Sequence, residues 1–165
     1  MKKTIILLSA FAALSCGSQK TTAIQPSSYT IESECPATGT CNFEIIKDSA
    51  LVYKNNEATG RLYYEMVNSP GKSVLKYTYD KKKNPGAQDD FYREEIVIET
   101  NNDLSSLNDE TSPKMLFGIF CYCKGTAGYY EIKGGSTSYK NNKISITVPK
   151  VIPNPVTTQF TVNTK

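Results

Sequence analysis

The chain has 165 residues, with 19 lysine and arginine residues, 16 acidic residues and a formal net charge of +3, and it contains no histidine and no tryptophan. Serine–histidine and cysteine–histidine nucleophiles and histidine-bound metal sites are excluded, because histidine supplies the base or the ligand in each of them. Loss of Lys2 and Lys3 would lower the charge from +3 to +1, which gives no general attraction to nucleic acid. The composition favours a protein that is not an enzyme and that binds no nucleic acid.

The first residues have the pattern of an export signal. Lys2 and Lys3 precede an apolar run from Ile5 to Leu14, which is followed by small residues. This order is typical of a secretory signal peptide. The run is too short to remain as a membrane span, which needs about 20 apolar residues. We predict that residues 1–15 are a signal peptide and are removed.

The end of this segment carries a recognisable motif. Leu14-Ser15-Cys16-Gly17 resembles the lipobox of bacterial lipoprotein precursors, although that family usually has leucine where this chain has Ala13. The resemblance covers residues 1–16 only, and it implies that Cys16 is lipidated and becomes the new N-terminus. Several acyl chains on one residue anchor a protein firmly, whereas one chain binds only marginally. Because residues 17–20 contain no acid, the resemblance implies the bacterial outer membrane, facing the periplasm.

Residues 16–28 are expected to join the anchor to the folded part. After Cys16 they are mostly serine, threonine, glutamine, lysine and proline, the composition of a flexible tether. A tether of about 12 residues has a root-mean-square reach of roughly 20 Å. The remaining residues, 29–165, are predicted to form a single β domain.

The rest of the chain alternates between short strand-like runs and turn signals. The runs are rich in β-branched and aromatic residues and are separated by Gly, Pro, Asn and Asp. They are residues 29–32, 42–47, 51–54, 61–67, 74–79, 91–99, 115–123, 129–133, 143–148 and 159–162. Leu104 and Leu107 give residues 102–109 one helical turn, and the prolines of residues 149–155 place a crossover before the last strand.

Strands of this number and spacing predict an all-β fold. We expect an antiparallel β-sandwich braced by disulfides, with a small β-barrel as the alternative.

Four cysteines follow Cys16, and an even number in an exported chain indicates disulfides. Joining Cys35 to Cys41 would leave Cys121 to pair with Cys123, two positions along one strand, in a strained ring. Cross-pairing avoids this strain, since Cys121 and Cys123 point to one face of their strand. We therefore predict that Cys35 and Cys41 are each bonded to Cys121 or Cys123.

The cysteine spacing also bears on other chemistry. Gaps of five residues and of one residue fit a four-thiolate zinc site poorly, and the Cys-X-X-Cys pair typical of redox sites is absent. We expect no metal site and no cofactor.

Three hypotheses for function remain. The first is a lipid-anchored envelope domain that binds an envelope protein or a glycan, or has a structural role, in keeping with its many tyrosines. The second is an inhibitor of an envelope-directed hydrolase such as a lysozyme or protease, with residues 81–90 or 134–142 as the inserted loop. The third is an enzyme that uses carboxylates alone, for which Glu94 or Glu95 would need a partner in a concave pocket.

Overall fold

The computed structural model describes residues 29–33, 35–109 and 113–164. The predicted signal peptide, the lipidation site Cys16 and the tether lie outside these residues. The strands are β1 (Tyr29–Ile31), β2 (Gly39–Asn55), β3 (Leu62–Lys81), β4 (Tyr92–Asn101), β5 (Met115–Cys121), β6 (Gly128–Glu131), β7 (Ser136–Lys140), β8 (Lys143–Thr147) and β9 (Gln159–Thr164). Of the part of the chain that the structure describes, no helix has the length and apolar character needed to cross a lipid bilayer.

The strands form two antiparallel sheets. One sheet has five strands in the order β2-β3-β4-β5-β6, and the other has four in the order β1-β9-β8-β7. Neither sheet closes on itself. The predicted all-β sandwich is therefore confirmed, and the alternative of a closed barrel is wrong.

The main core lies between the two sheets. Alternate residues of each strand point inward, as the period of two requires. They are Phe43, Leu75, Tyr77, Tyr79, Ile96, Ile98, Met115, Phe117 and Ile119 from the five-stranded sheet, and Ile144, Ile146, Phe160 and Val162 from the four-stranded sheet. The Tyr77 and Phe160 rings stack across the interface, with centroids 4.3 Å apart. Burial of these side chains is the main stabilising contribution, at roughly 1.5–3 kcal/mol each.

Two strands are much longer than the sequence predicts. Residues 42–47 and 51–54, expected as separate strands, are both parts of β2, and residues 61–67 and 74–79 are both parts of β3. The ladder continues across a bulge between Lys47 and Ser49. Asp48 has φ 53° there, and Gly71 in the facing strand has φ 86°. The Asp48 carboxylate accepts hydrogen bonds from the Gly71 N–H (3.2 Å) and the Asn102 side chain (2.8 Å), which stabilises the bend.

Beyond this bend the hairpin of β2 and β3 folds back over the outer face of the five-stranded sheet. This folded hairpin comprises residues 49–55 and 62–68. It forms a second, smaller core in which Leu51 packs with Val97 and Leu116 of the sheet. The Leu51 N–H donates to Glu99 Oε2 (2.8 Å), and Lys72 Nζ donates to Glu99 Oε1 (2.6 Å). The five-stranded sheet is therefore covered on both faces.

The four-stranded sheet contains a strand that the sequence does not predict. Residues 136–140 form β7, within the segment 134–142 proposed as an inserted loop. Asn141 and Asn142 connect β7 to β8, and both have positive φ, as a tight two-residue hairpin turn requires. This segment is therefore a paired hairpin and not a long protruding loop.

The predicted helical turn is present as a 3-10 helix, Ser105–Asn108. Leu104 and Leu107 are buried in the main core. The Asn108 side chain also accepts a hydrogen bond from the Tyr139 N–H (2.9 Å) and donates to the Tyr139 carbonyl (3.0 Å). The Asn108 side chain thus forms the hydrogen bonds that a neighbouring strand would form, and it covers the edge of β7.

Candidate binding surface

One end of the five-stranded sheet brings several loops together. Tyr92, the first residue of β4, lies opposite Cys121, the last residue of β5, and Gly39, the first residue of β2, lies opposite Lys81, the last residue of β3. The connections at this end are residues 35–38, 82–91 and 122–127, and we call them together the loop end.

The loop end carries exposed aromatic side chains. Tyr122 follows β5 and is 74% exposed, and Phe91 precedes β4 and is 36% exposed. Phe91 directly precedes Tyr92 and Tyr122 directly follows Cys121, and Tyr92 and Cys121 are paired. Phe91 and Tyr122 therefore lie at the same end of two neighbouring strands. Neither residue belongs to the two buried core clusters, and exposed aromatic side chains are common at binding surfaces.

The first loop is fixed by a disulfide between Cys35 and Cys41, whose Cα atoms are 5.8 Å apart. The Gly39 N–H donates to the Pro36 carbonyl (2.9 Å). The Tyr77 hydroxyl donates to Cys41 Sγ (3.0 Å), and the Thr38 and Tyr79 hydroxyls share a hydrogen bond (2.8 Å). This loop is therefore held rigidly on two core tyrosines.

The second cysteine pair is Cys121 with Cys123, whose Cα atoms are 5.2 Å apart. This arrangement corrects the predicted cross-pairing of these cysteines with Cys35 and Cys41. Cys41 lies in β2 and Cys121 in β5, and strands β3 and β4 lie between them. Three strand spacings amount to about 14 Å, whereas the Cα atoms of a disulfide lie at most about 7 Å apart. The presence of disulfides is thus confirmed, and the cross-pairing is wrong.

The second loop, residues 82–91, is braced by Asp90. Its carboxylate accepts hydrogen bonds from Lys81 Nζ (2.5 Å) and from the Asn84 N–H (3.0 Å). These two donors hold the pKa of Asp90 below its usual value. The Lys82 N–H also donates to the Thr38 carbonyl (2.8 Å), which ties this loop to the first one. Lys82 and Lys83 remain exposed.

A buried carboxylate joins the loop end to the crossover between β8 and β9. Glu94 accepts hydrogen bonds from the Tyr92 hydroxyl (2.5 Å) and from the N–H groups of Val156 (2.7 Å) and Thr157 (2.7 Å). Burial, and then the bond to Glu94, raise the pKa of Tyr92. The Val156 N–H thus shares Glu94 Oε1 with the Tyr92 hydroxyl, a connection that the sequence did not indicate, and the Val156 side chain is 41% exposed.

The neighbouring carboxylate, Glu95, lies on the opposite face of β4. It accepts hydrogen bonds from the Tyr64 hydroxyl (2.9 Å) and the Tyr129 hydroxyl (2.8 Å), and Lys76 Nζ lies 3.3 Å from it. Burial and the Glu95 charge raise the pKa of both tyrosines. Glu94 and Glu95 thus lie on opposite faces of the sheet, and each accepts hydrogen bonds from other elements of the structure. The structure does not bring them together in one pocket.

A groove on the outer face of the four-stranded sheet has a volume of about 600 Å³. The described side chains that line it offer serine and threonine hydroxyls and the Gln159 amide as hydrogen-bonding groups, and none of these described lining residues is charged. Among residues 29–33, 35–109 and 113–164, no group of three or more Cys, Asp and Glu side chains is placed to hold a metal ion.

Comparison with known proteins gives no functional assignment: the chain matches no protein-family model, and no curated protein or solved structure shows significant similarity to it.

Proposed function

We propose that the chain is a lipid-anchored protein of the bacterial cell envelope that has no enzymatic activity and whose β-sandwich binds an envelope protein or glycan through the loop end. The observation that carries the proposal is the exposure of Tyr122 and Phe91 on a support of paired strands and braced loops. Rigid aromatic anchors bind with a small loss of conformational entropy. The location proposed for the anchor is the outer membrane, facing the periplasm.

The path of the chain supports an orientation of the domain in which the loop end points away from the membrane. β1 begins at Tyr29, whose ring contacts Phe43 of β2 (centroids 5.7 Å apart). From there the chain runs through Ile31 toward Cys35 and the loop end. The described chain therefore begins at a distance from the loop end and reaches it only at Cys35. In the proposed arrangement the exposed aromatic residues face a partner and not the membrane.

The anchor is tested by mass spectrometry of the protein extracted from membranes. We expect an acylated Cys16 at the N-terminus of the mature chain, and release of a Cys16→Ser variant into the soluble fraction. An unmodified Cys16, or a Cys16→Ser variant that stays in the membrane, would reject the anchor.

The binding surface is tested by photo-cross-linking in cells. A photoreactive residue at position 122 should give a specific adduct, which a Phe91→Ser substitution should weaken. Position 66 is the matched control, because Met66 is 45% exposed but lies on the folded hairpin, away from the loop end. Equal adducts at positions 122 and 66, or none at either, would reject the loop end as the binding surface.

A second candidate function is inhibition of an envelope-directed hydrolase. The observation that favours it is the bracing of residues 82–91 by Asp90, because inhibitors commonly present a preformed loop. In assays with lysozymes and proteases, the wild type should inhibit one of them, and Asp90→Ala should inhibit it more weakly. If the wild type inhibits none, this function is rejected, while the binding proposal is tested separately by cross-linking.

A further inference from the structure

The two cysteine pairs of the loop end differ in what they hold together. Cys35 and Cys41 close a loop that is hydrogen-bonded to Tyr77 and Tyr79 of the core. Cys121 and Cys123 enclose only Tyr122. Cys121 is already fixed by the pairing of β5 with β4, so the second pair links no separate elements of the fold.

The second pair also restricts the unfolded chain very little. The stabilisation from a cross-link grows with the length of the loop that it closes, and a separation of two residues gives one of the shortest loops possible. A disulfide that contributes little to stability is reduced more easily, because reduction sacrifices little folding free energy. We therefore expect Cys121 and Cys123 to be the more easily reduced pair.

The surroundings of this pair favour reaction with an outside thiol. Cys121 and Cys123 are half-buried, and Tyr122 between them is largely exposed. Lys124 is exposed next to Cys123, and residues 120–130 contain no acid. Positive charge near a cysteine stabilises the thiolate, which is both the attacking and the leaving form in disulfide exchange.

We propose that Cys121 and Cys123 form an exchange-active disulfide that oxidises a pair of cysteine thiols in a partner polypeptide. Tyr122 and Phe91 supply an apolar contact for an extended segment of that polypeptide. This activity goes beyond partner binding, and it does not depend on identification of the envelope partner.

The reaction takes place in two exchange steps. A partner thiolate attacks Sγ of Cys121, the Cys121–Cys123 bond breaks, and Cys123, beside Lys124, leaves as a thiolate. The second partner thiolate then attacks the partner sulfur of the mixed disulfide, which forms the partner disulfide and releases Cys121. The partner loses two electrons and two protons, and Cys121 and Cys123 become two thiols. Each chain oxidises one pair of thiols in this way, so the exchange is stoichiometric and is not an enzymatic turnover.

The first test is a redox titration of the purified full chain in glutathione buffers, followed by alkylation and peptide mass spectrometry. Cys35 and Cys41 are an internal control in the same molecule. The quantity compared is the ratio [GSH]²/[GSSG], where GSH is reduced and GSSG is oxidised glutathione, at which half of each pair is reduced. We expect this ratio for Cys121 and Cys123 to be at least about tenfold lower than the ratio for Cys35 and Cys41. Reduction of both pairs at the same ratio, or free thiols at Cys121 and Cys123 in the oxidised protein, would overturn the proposal.

The second test measures oxidation of a reduced peptide that carries two cysteines and an apolar segment. The wild type should oxidise about one equivalent, and Cys123→Ser should oxidise none. The control is Met66→Ser, because Met66 is exposed on the folded hairpin and outside the loop end, and this variant should retain the activity. Equal activity in Cys123→Ser and the wild type would overturn the proposal, and the titration gives an answer even if the control variant does not fold.

Discussion

Glu94 shows how a single side chain links distant parts of the chain. Its carboxylate is completely buried and accepts hydrogen bonds from the N–H groups of Val156 and Thr157 as well as from Tyr92. Glu94→Gln leaves one acceptor oxygen for these three donors. Because a buried donor without a partner costs about 1–3 kcal/mol, we expect the free energy of unfolding in urea to fall by that amount.

The control for this prediction is Glu44→Gln, since the Glu44 side chain is 39% exposed and lies 3.6 Å from Lys76. Exposed pairs of this kind contribute at most about 1 kcal/mol. If Glu94→Gln destabilises the protein no more than Glu44→Gln does, the bonds to the crossover contribute little to stability.

Among the structural elements, the folded hairpin depends on Glu99 for its attachment to the five-stranded sheet. Burial raises the pKa of this carboxyl, but hydrogen bonds from Lys72 and the Leu51 N–H, together with the charge of Lys114, outweigh it, and the pKa is lowered below 4.5. A lowered pKa adds stability above the unfolded-state value, and this stability is lost as the pH falls through the folded-state pKa. The attachment of the hairpin should therefore weaken below about pH 4.5.

Glu99→Gln tests this dependence. We expect the variant to be less stable than the wild type at pH 7, and the difference to become smaller as the pH falls below about 4.5. The measurement is urea unfolding across this range. Glu65→Gln is the control, because the Lys54–Glu65 pair is exposed on both sides. A difference that does not change with pH would contradict the role of the Glu99 charge.

A second element, the edge strand β7, depends on Asn108. Its side chain bonds both the N–H and the carbonyl of Tyr139, and an uncovered edge is a template for pairing with another chain. Asn108→Ala should lower the free energy of unfolding by about 1–2 kcal/mol and increase self-association, as measured by analytical ultracentrifugation. The control is Asn56→Ala, because Asn56 lies in an exposed turn that does not cover a strand edge. Asn142→Ala would be a poor control, because Asn142 has positive φ. Equal self-association of the two variants would contradict the covering role.

For the molecule as a whole, local sequence patterns predicted where the strands lie better than they predicted which strands are in contact. Alternation of apolar residues identified most strands and the sandwich, because it reflects burial of one face. It missed β7, whose sequence Ser-Thr-Ser-Tyr-Lys carries little apolar alternation. It also divided β2 and β3, because a bulge at Asp48 keeps the ladder continuous where the pattern breaks.

The candidate surface depended even more on long-range structure. Disulfide pairing follows from which strands separate the cysteines, and strand order is not encoded in any local pattern. The exposure of Tyr122 could be anticipated only in part, since alternation does not determine which tyrosines lie beyond the last paired residue. Glu94 and Glu95 were noted as carboxylates, but only the structure shows that they bind different elements on opposite faces of β4.

The pairing of β1 with β9 also determines the order in which the protein folds. Tyr29 pairs with Thr164, whereas the five-stranded sheet uses only residues 39–131. Contacts between residues distant in sequence form late, because closing a long loop costs entropy before the contacts can repay it. In pulse-labelled hydrogen exchange during refolding, the amides of β3 and β4 should become protected before those of β1. As the chain emerges N-terminus first, β1 must therefore wait for β9, so the four-stranded sheet is complete only after residues 159–164 have been synthesised.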